Sequence, residues 1–70
     1  MIDIKKKFGD KLRQIRKQKK ISQEELAFRA KLHRTYVSDV ERGSRNISIK
    51  NVEKIAKALD VSLPDLFNNK

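Results

Sequence analysis

The 70-residue sequence contains no cysteine, no tryptophan, a single proline and only two glycines. Without cysteine the chain has no disulfide framework and no thiolate metal site, which fits a reducing cytoplasm. Because Gly9 and Gly43 are its only glycines, a glycine-rich loop that cradles phosphate is also absent. These absences exclude a disulfide-stabilised secreted scaffold and a P-loop nucleotide-binding protein.

Acidic residues are also scarce, with nine Asp and Glu against 18 Lys and Arg, for a formal net charge of +9. This excess favours a polyanionic partner, with nucleic acid first and an anionic membrane surface second. Charge alone would equally fit a protein that is merely soluble. The lone His33 has no Cys or second His with which to form a catalytic or metal site. We therefore expect no enzymatic activity, no cofactor and no metal.

No long apolar run occurs, so we expect no membrane span. The N-terminus, MIDIKKKFGDK, has no long apolar segment, and we expect no signal peptide. A membrane-surface peptide would need an exposed apolar face, whereas here several amphipathic helices can cover one another. Residues 1–70 are expected to form one domain. A chain this short buries only about 60% of its unfolded surface, so we expect it to be marginally stable alone unless its packing is well idealised or it forms a dimer.

The apolar residues that are present recur at helical spacing, which argues against disorder. A first helix is predicted from about Asp3 to Lys19. Its inward positions, at spacings of four, four and three, are Ile4, Phe8, Leu12 and Ile15. The opposite face is basic and most of it is interpreted as a solvated face. Gly9 is a poor residue for a helix interior, so another segment is expected to pack closely there.

Two further helices are predicted near the C-terminus. One has Ser48 as its N-cap and ends at about Leu59. Its inward residues are Ile49, Val52, Ile55, Ala56 and Leu59. A short final helix has Ser62 as its N-cap, Pro64 in its first turn, and Leu66 and Phe67 at its end. Residues 68–70 are expected to fray. With no strand-like alternation, the predicted fold is all-α, a compact five-helix bundle.

The segment Ser22 to Arg45, SQEELAFRAKLHRTYVSDVERGSR, predicts a helix-turn-helix over about residues 22–42. Ser22 and Glu25 can form a capping box. The first of the two helices is expected to bury Leu26, Ala27 and Ala30 and to leave Gln23, Glu24 and Arg29 outward. The second begins at His33 or Arg34, buries Val37 and Val40, and ends at Gly43, which suits a left-handed position. Its N-terminal side chains can enter the major groove of DNA.

The patterns L-R-x-x-R, S-Q-E-E-L-A and T-Y-V-S-x-x-E-R-G resemble the Cro/C1-type (XRE-like) helix-turn-helix family of bacterial and phage regulators. The resemblance extends from about Phe8 to Phe67. The stretch LHRTYVSDVERGSRNISI is most similar to the controller proteins of restriction–modification systems. The family usually has glycine where this chain has Lys31, so family geometry implies a positive φ at that lysine.

The resemblance implies roles for several side chains in binding double-stranded DNA. Arg34 and Thr35 would read base edges, and Arg45 could read bases or contact a phosphate. Arg42 could likewise read bases or contact a phosphate. Backbone contacts are assigned to Gln23, Tyr36, Ser38, Arg42 and Asn46. For Tyr36 the alternative is packing beneath the helix.

The resemblance also implies a buried ion pair between Arg16 and Glu41. The apolar residues Ile47, Leu63 and Phe67 are assigned to a homodimer interface; the alternative is that they complete the monomer core. In activators of the family, first-turn acids such as Glu24 and Glu25 can touch RNA polymerase. Helix capping and the helix dipole explain these two residues more simply.

The function predicted from these features is a cytoplasmic, nucleoid-associated transcriptional regulator of bacterial or phage origin. It would be the controller protein of a restriction–modification system and bind a palindromic operator as a dimer. A phage or plasmid Cro/C1-type repressor is one alternative. Another is an antitoxin that binds a toxin partner as well as DNA.

Overall fold

The computed structural model describes residues 3–67, which form five helices and, over that range, no strand. The helices are α1 (Ile4–Gln18), α2 (Gln23–Ala30), α3 (Arg34–Arg42), α4 (Ile49–Leu59) and α5 (Leu63–Phe67). The predicted all-α, five-helix architecture is confirmed. None of the described helices is both long enough and apolar enough to cross a bilayer. The fraying expected for residues 68–70 lies outside the described residues.

Short polar side chains cap three of the helices. The Ser22 hydroxyl accepts a hydrogen bond from the Glu25 amide at 3.0 Å, and Ser48 accepts one from Asn51 at 3.2 Å. Asp3 caps α1 in the same way. Only half of the predicted capping box forms within the described residues, because the Glu25 carboxylate pairs with Arg29 Nε at 2.7 Å. This i,i+4 pair competes with the bond back to the Ser22 amide.

A single apolar core joins the five helices. Its large, fully buried side chains are Leu12, Leu26, Val37, Val40, Ile55, Leu59 and Leu66. Two residues predicted to face inward do not: Ile4 is 63% exposed and Ile49 is 75% exposed. Each is the first residue of its helix. Helical spacing predicts which face a residue occupies, but at a helix end the neighbouring helices no longer cover that face.

Both glycines stand where the backbone of another helix comes close. A Cβ atom on Gly9 would lie 2.6 Å from the carbonyl oxygen of Glu41 and closer still to that of Val40. Gly43 ends α3 with a φ of 76°, and a Cβ there would lie 2.7 Å from Lys6 Cα. The close packing predicted at Gly9 is therefore between α1 and the C-terminal half of α3. This contact sets the position of α3 on the bundle.

The turn between α2 and α3 has the left-handed residue that the family resemblance implied. Lys31 has a φ of 59° and a ψ of 44°. The amide of Leu32 donates to the Ala27 carbonyl at 2.9 Å and closes the end of α2. Lysine thus occupies a conformation that glycine adopts without steric cost.

Candidate nucleic-acid interface

Helix α3 buries one face in the bundle and exposes a polar face to solvent. Val37, Val40 and Glu41 point into the bundle. Arg34 and Thr35 lie exposed in the first turn. The N-cap residue His33 makes no side-chain capping bond to this turn. The start of α3 therefore offers a guanidinium, a hydroxyl and a methyl group to solvent.

An aspartate that the sequence interpretation missed organises the far end of this face. Asp39 Oδ1 pairs with Arg42 Nη2, and Asp39 Oδ2 accepts from Arg45 Nη2 at 3.4 Å. Arg42 Nη1 also donates to the Ser38 hydroxyl at 3.2 Å. The spacing of Asp39 and Arg42, three residues apart in a helix, was a signal that could have found the first pair.

Tyr36 packs beneath the helix, which is one of the two alternatives that the sequence left open. Its ring is half-buried against the core, and the Arg45 guanidinium carbon lies over it, 4.9 Å from the ring centroid. Its hydroxyl accepts a hydrogen bond from Asn51 Nδ2 at 3.0 Å, which links α3 to α4. Asn51 was not among the predicted site residues. Its contact with Tyr36 joins residues 15 apart, which no local spacing indicates.

Gln23, which was predicted to point outward, is half-buried in the structure. Its Nε2 donates to Glu41 Oε1 at 3.0 Å. The first residue of α2 thereby contacts the buried charge at the end of α3. A long, flexible side chain at a helix start can fold back in this way, which the helical pattern does not predict.

The structure contains the ion pair between Arg16 and Glu41. Arg16 Nε donates to Oε2 at 2.6 Å and Nη2 donates to Oε1 at 3.0 Å. The third guanidinium nitrogen, Nη1, donates to the Ile21 carbonyl at 2.8 Å. Over the described residues, no buried side-chain nitrogen or oxygen lacks a hydrogen-bond partner. The pair thus joins α1 to α3, and through Ile21 it also joins both helices to the loop between α1 and α2.

The loop after α3 leads from the polar face to an apolar groove. Arg45 and Asn46 are exposed, and both line this groove of about 280 Å³. Its apolar lining includes Ile4, Ile47, Ile49 and Phe67. Two of the predicted dimer residues, Ile47 and Phe67, are among them. Ile4 and Ile49 were missed because they were assigned to the core.

Phe67 also shows features of both predicted roles. Its ring centroid lies 5.5 Å from that of Phe8, yet the residue is half exposed. Leu63 is 39% exposed and does not line the groove.

The described residues bring no three His, Cys, Asp or Glu side chains together as metal ligands.

Residues 12–66 match the family model described as helix-turn-helix. The chain belongs to the helix-turn-helix family. Control protein C.BamHI of Bacillus amyloliquefaciens is 60% identical over 62 residues, which cover 87% of this chain and 76% of that protein. Control protein C.MunI of Mycoplasma sp is 47% identical over 70 residues, covering 99% and 95%.

A solved structure shows the same arrangement of helices. The restriction-modification controller protein C.AhdI from Aeromonas hydrophila matches with a TM-score of 0.92 and 48% sequence identity. The match covers 94% of this chain and all of that one. All three relatives are described as control or controller proteins.

Proposed function

We propose that this chain is a sequence-specific DNA-binding regulator of transcription and acts as the controller protein of a restriction–modification system. The observation that carries the proposal is the exposed first turn of α3, where Arg34 and Thr35 lie on a helix whose other face is buried in the bundle. Similarity to C.BamHI, C.MunI and C.AhdI over most of the chain supports the specific class of regulator. The net charge of +9 suits a polyanionic partner.

In this proposal, reading and positioning belong to different side chains. Arg34 suits guanine O6 and N7, and Thr35 can donate, accept or offer its methyl group to thymine. Arg45 reads a base from its place over the Tyr36 ring. Phosphate contacts set the register of the protein on the duplex. They come from Gln23, Tyr36, Ser38, Arg42 and Asn46.

We further propose that the regulator binds a palindromic operator as a homodimer. The apolar groove lined by Ile4, Ile47, Ile49 and Phe67 would be covered by the same surface of a second copy. A two-fold dimer would set two α3 helices about 34 Å apart, one turn of DNA. Contact with RNA polymerase would use the exposed Glu24, since Glu25 already pairs with Arg29. The site of action is the nucleoid in the bacterial cytoplasm.

The test is footprinting on the DNA immediately upstream of the gene that encodes this chain. We expect protection of two symmetry-related half-sites about 10 base pairs apart, centre to centre. Fluorescence anisotropy should then show tighter binding to that duplex than to a scrambled duplex of the same length and composition. Equal affinity for the two duplexes would reject the proposal. Genes for a methyltransferase and an endonuclease nearby would separate a controller from a phage repressor or an antitoxin.

A further inference from the structure

Asp39 is the single acidic residue on the exposed side of α3. The other acid of this helix, Glu41, is buried against Arg16. The Asp39 side chain is 19% exposed and lies between Arg42 and Arg45. Its Oδ1 pairs with Arg42 and its Oδ2 pairs with Arg45. A carboxylate at this position lowers the positive potential at the surface proposed to meet DNA.

The same residue also holds the loop that follows α3. Its main-chain carbonyl accepts from the Ser44 amide at 3.0 Å and from the Ser44 hydroxyl at 3.1 Å. Arg45, the next residue, is then held by Asp39 Oδ2 on one side and by the Tyr36 ring on another. A guanidinium carries five N–H donors, so most of them remain available to an acceptor on DNA.

We infer that Asp39 is a specificity-determining residue, which restrains Arg42 and Arg45 from binding phosphates indiscriminately and keeps Arg45 aimed at one acceptor. This inference rests on the proposed DNA-binding function and deepens it. The arginine partners are 64% and 48% exposed, and ion pairs with such exposed partners contribute little to folding stability, so stability alone does not explain an acid at this place. An arginine that already has an anionic partner gains less from a phosphate at an arbitrary position. Because its direction is fixed, the arginine can still bind a base edge that lies in that direction.

The inference predicts opposite effects on the two kinds of binding when the charge is removed. In Asp39→Asn, Arg45 loses its carboxylate partner and can neutralise one more phosphate, which adds about −0.9 to the slope of log affinity against log salt. Affinity for a scrambled duplex should rise by about five- to tenfold at roughly 0.1 M salt. Affinity for the footprinted duplex should rise less or fall, because Arg45 loses its restraint. The ratio of the two affinities should therefore decrease.

The matched control is Asp10→Asn. Asp10 also pairs with an arginine three residues away, Arg13 at 3.8 Å, but it lies on α1. The substitution changes the net charge by the same amount, so it reports the effect of overall charge. We expect it to alter both affinities by similar, small factors and to leave their ratio unchanged. Asp39→Glu keeps the carboxylate and should leave binding to the scrambled duplex near the wild-type level.

Anisotropy titrations of the full chain and the three variants, on both duplexes at several salt concentrations, decide the matter. A smaller ratio and a steeper slope in Asp39→Asn alone would support the inference. The same ratio in Asp39→Asn and Asp10→Asn would overturn it. If circular dichroism shows that Asp39→Asn does not fold, Asp39→Ser, which also removes the carboxylate, takes its place and is read by the same two outcomes. Wild-type protein that prefers neither duplex would instead reject the proposed function.

Discussion

Glu41, near the end of α3, accepts two hydrogen bonds from Arg16 of α1, and the two side chains are 2% and 10% exposed. Both charges are thus withdrawn from water and satisfied by each other, with Gln23 and the Ile21 carbonyl completing the arrangement. A buried pair of this kind is costly to break from one side, because the remaining charge has no partner. It connects the stability of the bundle to the position of α3.

We expect Glu41→Ala to lower the free energy of unfolding by about 3–5 kcal/mol, since it leaves the Arg16 guanidinium buried and unpaired. Denaturant unfolding followed by circular dichroism measures this. The control is Glu53→Ala, which truncates an exposed glutamate on α4. Replacing the pair together, as Arg16→Met with Glu41→Leu, should destabilise less than Glu41→Ala alone. Equal midpoints for Glu41→Ala and Glu53→Ala would show that the pair is not structural.

Lys31→Gly is expected to raise stability or leave it unchanged. A non-glycine residue in the left-handed region is strained by roughly 1–2 kcal/mol, and the added freedom of glycine in the unfolded chain offsets part of the gain. Lys19→Gly is the matched control, because Lys19 also ends a helix but has a φ of −87°. That variant should be less stable than wild type. The prediction fails if thermal unfolding shows the two variants equally destabilised.

Arg34→Ala should weaken binding to the footprinted duplex by about 1–3 kcal/mol and affect the scrambled duplex very little. The physical reason is that a base-edge contact exists only on the correct sequence, whereas a phosphate contact is available everywhere. Asn46→Ala, at an exposed loop residue assigned to a phosphate, should weaken both duplexes evenly. Equal losses on both duplexes for Arg34→Ala would move the reading role to Thr35 or Arg45.

Ile49→Ser should weaken self-association of the chain. Ile49 is 75% exposed and lines the apolar groove, so a second copy can bury it on each side of a two-fold interface. Sedimentation velocity at micromolar concentration should show wild-type dimer and a dissociation constant raised at least about tenfold in the variant, about 1.4 kcal/mol. Phe28→Ser is the control, since Phe28 is 79% exposed but lies on α2, away from the groove. Wild-type protein that remains monomeric would contradict the proposed interface.

Local pattern predicted the features that depend on neighbours along the chain. The spacing of Phe8, Leu12 and Ile15 indicated the buried face of α1, because a helix repeats every 3.6 residues. Ser22 and Ser48 marked helix starts since their hydroxyls reach an amide three residues ahead. The family resemblance supplied the positive φ of Lys31, which composition and spacing do not indicate.

Contacts between residues far apart in the sequence were missed or misassigned, because they do not depend on neighbours along the chain. The bond between Asn51 and Tyr36 spans 15 residues, and that between Gln23 and Glu41 spans 18. Ile4 and Ile49 carry the spacing of core residues but lie beyond the helices that would cover them. Each outcome depends on where another helix ends in space, and the sequence of one helix contains no such information.

By itself, then, the sequence determined that this chain forms helices, where they begin and end to within a residue or two, and which family it belongs to. Those properties follow from local hydrogen bonding, helical periodicity and the motif around α2 and α3. Only the tertiary structure decided that Arg45 turns back to Asp39 and lies over Tyr36, and that Ile4 and Ile49 join Phe67 in an exposed groove. Such relationships arise when packing brings separate helices and loops together, so they are set by the whole bundle and not by any one segment.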